Sequence, residues 1–152
     1  MIYRVELKFS VVDFDNRLKP RQTNIGPYVR FSRKRTDVDY FSQHDIDLYP
    51  DLKVYDATTP APSGDVGLCV AFEEKNGVEL DCNFKEYNFG FSSIEKLKRW
   101  FIESDRESLN ECGYAVFCYE CNESSDVIEG DTQTIFKMNT VKLTQIIDIG
   151  SI

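Results

Sequence analysis

The chain has 152 residues, a formal net charge of −8, and 41% hydrophobic residues that include 11 Phe and 8 Tyr. That size and apolar content predict one globular domain spanning residues 1–152 and exclude a disordered chain. No stretch approaches the roughly 20 apolar residues of a membrane span, and Met1-Ile2-Tyr3-Arg4-Val5-Glu6 lacks a signal peptide's basic head and apolar run, so a cytoplasmic protein is expected.

The acidic balance argues against a nucleic-acid binder held by phosphate contacts. It also hides a polarity, because residues 1–36 carry +6 and the remainder −14. The basic N-terminal segment is expected to fold back on the acidic body. Five cysteines, an odd number, point to free thiols in a reducing compartment.

In chain order, Ile2 to Val12 alternates, with Tyr3, Val5, Leu7, Phe9 and Val11 on one face and Arg4, Glu6, Lys8 and Ser10 on the other. Period two with β-branched and aromatic residues predicts a half-buried strand. Asp13 to Arg35 is polar and basic, with turn signals at Asp15-Asn16, Lys19-Pro20 and Gly26-Pro27, and Tyr28 to Ser32 is a candidate short strand. Asp37 to Asp65 holds seven Asp, three Pro and no Glu, which reads as loop. A long basic-then-acidic loop region is thus expected at about 13–65.

Val66 to Phe84 places Asn76-Gly77 between two alternating runs and predicts a hairpin with a two-residue turn. Tyr87 to Phe91 reads as a strand entering a helix. Ser92-Ser93-Ile94-Glu95 fits a capping box led by Ser92. Ile94, Leu97, Trp100 and Phe101 follow as an apolar stripe. Ser104-Asp105-Arg106-Glu107 repeats the box for a short second helix, which Gly113 would end. Tyr114 to Cys121, Thr132 to Met138 and Val141 to Ile149 read as strands, with a turn at Asn139-Thr140. The fold class is α+β: a mixed, mainly antiparallel sheet carrying one main amphipathic helix and a short second helix.

Chemistry-bearing residues are sparse. Cys118 and Cys121 sit three apart on a strand, so they face opposite ways and read as small apolar residues rather than metal ligands. His44 lies between Gln43 and Asp45 with no marked nucleophile nearby. The Asp run from Asp37 to Asp56 lacks the Gly and Glu of a calcium loop, and no metal site is expected. Tyr40, Phe41, Asp45, Asp47 and Tyr49 interleave aromatics with acids, the composition of a partner-binding surface. Phosphate-loop, dinucleotide, zinc-protease and nucleophile-elbow motifs are absent.

Three pieces carry a resemblance. They are Tyr3-Arg4-Val5-Glu6 with Gly26-Pro27-Tyr28; Phe89-Gly90-Phe91-Ser92-Ser93 with Leu97, Trp100 and Phe101; and Gly113-Tyr114 leading to Gly130-Asp131-Thr132-Gln133-Thr134-Ile135-Phe136. Together they resemble a family of small bacteriophage- and prophage-encoded proteins. The order of elements is also similar to compact ADP-ribosyltransferases. That likeness implies NAD as cofactor, with Arg4 gripping its phosphates and Ser92 or Ser93 at the nicotinamide pocket. Where such enzymes carry a Glu this chain has Gln133, with Glu129 and Asp131 nearby, and an amide cannot steady a developing ribosyl cation as a carboxylate does.

These readings lead to a phage-type intracellular effector that binds a host or phage protein, with inhibition of a host anti-phage defence as its task. The alternatives are an NAD-dependent mono-ADP-ribosyltransferase-like enzyme, with Arg4, Ser92 and Gln133 as catalytic candidates, and a protein that binds or sequesters an anionic ligand or nucleotide through Tyr3, Arg4, Ser92 and Ser93.

Overall fold

The computed structural model describes residues 1–12, 18–21, 64–80 and 86–152, with backbone alone for 9–12 and 18–21. The candidate strand at 28–32, His44, Cys82 and the acidic aromatic residues Tyr40, Phe41, Asp45, Asp47 and Tyr49 lie outside the described residues.

The strands are β1 (Ile2–Leu7), β2 (Phe9–Val12), β3 (Leu18–Arg21), β4 (Asn88–Gly90), β5 (Tyr114–Glu120), β6 (Val127–Glu129), β7 (Thr134–Phe136) and β8 (Lys142–Asp148); the helices are α1 (Val66–Asn76), α2 (Ile94–Trp100) and α3 (Glu103–Glu111). Among the described residues three sheets form, ordered β1-β5-β8, β2-β3 and β4-β7-β6, and every strand pair there is antiparallel. The class is α+β.

Side chains of β1 and β5 alternate between two cores. Val5, Tyr114, Val116 and Cys118 pack with Phe91, Leu97, Phe101 and Leu109, which sets α2 and α3 on one face of the first sheet. Ile2, Ala115, Phe117 and Tyr119 pack on Phe136 of β7, which sets the second sheet on the other face. Ile128 and Ile135 turn away from that contact toward Leu68 and Phe72 of α1. The layers therefore run α2 and α3, β1-β5-β8, β4-β7-β6, α1. A corner joins the sheets where Tyr3 and Phe91 exchange two backbone hydrogen bonds of 2.8 Å.

The expected half-buried first strand is corrected by this layering. The face carrying Arg4 and Glu6 is not solvated, because the second sheet covers it, and these residues are 5% and 0% exposed. The strand also breaks at Lys8. Lys19-Pro20, read as a turn, is instead part of β3, with Ser10 opposite Pro20. Proline is tolerated there because a two-stranded sheet has only edge strands.

Where the first strand of the hairpin expected over Val66 to Phe84 would lie, Val66–Asn76 is a helix, and residues 81–84 of the second run lie outside the described residues. Asp65 caps the helix by accepting from the Leu68 N–H at 3.0 Å. Gly77 ends it at φ +69°, its N–H donating to the Glu73 carbonyl. Asn-Gly fits a tight hairpin turn and a helix C-terminus equally, since both require a left-handed residue. The run Leu68-Cys69-Val70-Ala71-Phe72 is apolar at every position and satisfies either period.

The α2 stripe is core: Leu97 and Phe101 are buried with Trp100 packed beside them. Its cap shifts by one residue, because the Ser93 hydroxyl accepts from the Lys96 N–H at 3.1 Å. The second box is likewise displaced. Helix α3 starts at Glu103, and the Asp105 carboxylate accepts from the Ile102 N–H at 3.2 Å. Gly113 stands just past its end at φ +81°, as expected. The two last strands do not pair, since β7 lies between β4 and β6 while β8 lies beside β5. The chain crosses between them through a 3-10 turn at Met138–Thr140.

Candidate functional site

Two of the polar clusters among the described residues lie at the turn between β6 and β7, which holds Gly130-Asp131-Thr132-Gln133. They meet there, one on each side.

The first is centred on Asp65, 2% exposed. One carboxylate oxygen accepts from the N–H groups of Leu68 and Asp131 at 3.0 and 2.9 Å. The other accepts from the Thr132 N–H, the Thr132 hydroxyl and the Gln133 N–H at 2.9, 2.7 and 3.1 Å. Asp131 answers by accepting from the Gly67 N–H at 3.0 Å. The turn and the start of α1 are thus laced together. Burial pushes the Asp65 carboxyl up, but the hydrogen bonds from Thr132, Leu68 and Asp131 outweigh it and hold it below the ordinary value. Gly130 is required by the close approach: a Cβ there would stand 2.6 Å from the Leu68 Cβ and 2.7 Å from an Asp65 oxygen.

The second cluster lies at the start of α2. The Ser92 hydroxyl donates to the Glu129 Oε1 at 2.5 Å, and the Lys96 ammonium reaches the same oxygen and the Gly130 carbonyl, each at 3.0 Å. Those hydrogen bonds from Ser92 and Lys96 hold Glu129 below the ordinary glutamate value. A hydroxyl, an ammonium and an ionised carboxylate share one half-exposed spot.

At the far end of the same sheet, Asp126 sits between Lys75 at 2.6 Å and Lys137 at 3.2 Å, and the Lys137 ammonium lies 5.1 Å from the Tyr87 ring centroid. These ion pairs tie the C-terminal end of α1 to the strands.

Arg4 is inside the protein. Its Nε donates to the Glu6 Oε1 at 3.0 Å, its Nη1 donates to the Phe89 carbonyl, and the Tyr119 hydroxyl donates to the same Glu6 oxygen at 2.7 Å. The network bridges the two sheets. Tyr3 is half-buried at the corner with Phe91. Ser93 is used as a helix cap, Ser92 faces Glu129, and Gln133 is buried with its N–H on Asp65. The sequence singles out Ser92 and places Glu129 near Gln133, but does not join Ser92, Glu129 and Lys96 into one cluster. Lys96 fell outside the apolar stripe of α2, and Glu129 lies 37 residues away on a strand with only three residues.

No disulfide joins the four cysteines among the described residues, Cys69, Cys112, Cys118 and Cys121. Burial pushes Cys118 up, as it does Cys69 together with the nearby Asp65 charge. No described helix is long and apolar enough to cross a membrane.

Among the described residues, fold and site define an α+β protein in which two three-stranded antiparallel sheets pack together, laced by buried carboxylates, with a small serine-lysine-glutamate cluster at the surface. The family model of the bacteriophage T4 Y00F protein matches residues 1–150, and the chain belongs to that phage protein family. No curated protein and no solved structure matches it.

Proposed function

We propose that the protein is a phage effector that works by binding a host or phage protein in the host cytoplasm, and that its target belongs to a host anti-phage defence. The observation carrying this reading is the placement of Arg4. The cation best suited by sequence to hold an anionic ligand is engaged by Glu6 and the Phe89 carbonyl between two sheets. The Asp65 carboxylate is likewise engaged, accepting from the backbone N–H groups of Asp131 and Gln133 and so holding α1 to the β6–β7 turn. Membership in a phage family and the net charge of −8 support a protein-directed role. A tagged full-length chain passed through host lysate should retain one stoichiometric partner. Retention of none across a range of salt concentrations refutes the reading.

One contact favours a second reading, an NAD-dependent ADP-ribosyltransferase-like enzyme. The carboxylate missing at Gln133 is present in Glu129, ionised and 2.5 Å from the Ser92 hydroxyl. Calorimetric titration with NAD and intact-mass analysis of lysate proteins test it. Absence of both NAD binding and added ADP-ribose mass removes it.

A further inference from the structure

Helix α1 begins Val66-Gly67-Leu68-Cys69-Val70-Ala71-Phe72, apolar around its whole circumference. One face is spent on the core, where Leu68 and Phe72 meet Ile128 and Ile135. A helix that is apolar all round is ordinarily covered all round. Here the opposite face is open: Val66 and Val70, one turn apart, are 69% and 50% exposed, and Val78 beyond the cap is 47% exposed. At 3.6 residues per turn, Glu73 continues the Val66–Val70 row and Glu74 flanks it, and both are exposed. Lys75 is turned elsewhere, paired with Asp126 at 2.6 Å. The open face is therefore an apolar row with a negative end.

Resting on the protein-binding reading above, we infer that the Val66–Val70 face of α1 receives the partner, and that the partner presents an apolar ridge flanked by lysine or arginine. Charge selects this occupant. A second copy laid antiparallel on this face would cover the valines but bring no cation to Glu73 and Glu74, since Lys75 is paired with Asp126, and two chains of net charge −8 repel. A basic-flanked ridge covers the valines and neutralises the two carboxylates in one contact. The chain's net charge of −8 draws the same class of partner from a distance.

Photocrosslinking tests the inference. Benzoylphenylalanine is placed at Val70 and, separately, at Glu111 on the exposed end of α3, each in the full-length protein. Both are irradiated in lysate of phage-infected host cells. Position 70 should crosslink to one polypeptide, within an apolar stretch flanked by Lys or Arg, and position 111 should not. Glu73→Lys with Glu74→Lys should lower the yield at position 70 roughly tenfold. Crosslinks from position 111 alone leave the binding reading intact and overturn this face. Crosslinks from neither position count against both. A crosslink from position 70 to residues of the same chain, to a second copy, or to a segment without basic flanks overturns the stated occupant. Val66→Ser with Val70→Ser separates lost binding from lost fold: its thermal midpoint should match the native one while the partner is lost.

Discussion

Thr132 holds Asp65 twice, its N–H and its hydroxyl both donating to one carboxylate oxygen at 2.9 and 2.7 Å. With Leu68, Asp131 and Gln133 completing the set, a buried charge replaces its lost hydration with fixed donors. Asp65→Asn keeps the shape but turns an amide N–H₂ toward groups that also donate. Breaking a buried, hydrogen-bonded carboxylate site of this kind should cost about 2–4 kcal/mol, measured by urea denaturation.

The same carboxylates set the response to acid. Asp65, Asp126 and Glu129 are held below their ordinary values of 3.8, 3.8 and 4.5. A group whose carboxyl is depressed in the folded state contributes stability above its unfolded value and loses it as pH falls through the folded one. Stability should therefore be flat near neutrality and fall below about pH 4. Asp105, pushed up by burial, acts in the opposite sense and offsets part of the loss. Denaturation midpoints from pH 7 to pH 2 should show a shallower fall for Asp65→Asn than for the native chain.

Arg4 and Glu6 should behave as a unit. Glu6→Leu alone removes the buried carboxylate that both the Arg4 guanidinium and the Tyr119 hydroxyl donate to, and should cost roughly 3–5 kcal/mol. Arg4→Met with Glu6→Leu removes both charges and should cost clearly less than the two single changes combined. A double-mutant cycle by chemical denaturation measures the coupling.

Thr134 is the exception to this satisfaction of buried polar groups. Its side chain is 1% exposed, and its hydroxyl is the only buried side-chain polar atom among the described residues without a hydrogen-bond partner. Thr134→Val removes the desolvated hydroxyl while keeping the β-branched shape. It should raise stability by about 1 kcal/mol, read as a higher urea midpoint with an unchanged slope.

Two glycines should separate steric from conformational cost. Gly130→Ala drives a methyl group into Leu68 and Asp65, and should both destabilise the fold and weaken the Asp65 cluster. Gly77→Ala meets nothing within 4 Å but keeps φ at +69°, so it should cost only about 1 kcal/mol of backbone strain. Thermal melts of the two variants should rank in that order.

Local periodicity determined much of this protein without help. The alternation of Ile2 to Leu7, the Leu97–Phe101 stripe, the Gly113 stop and the strand after it are all legible, because a residue's partners within a turn or along a strand are encoded beside it. The Leu68 to Phe72 run was not legible. A segment apolar at every position satisfies both periods, and Asn76-Gly77 serves either a hairpin or a helix end. Tertiary structure alone decided that the polar face of β1 is buried, since only the second sheet covers it. It also decided that Asp65 meets a turn 66 to 68 residues further on, and that Glu129 stands on Ser92. A carboxylate's need for donors is written in the chain, but which distant donors meet it is set by the packing of sheets and helices.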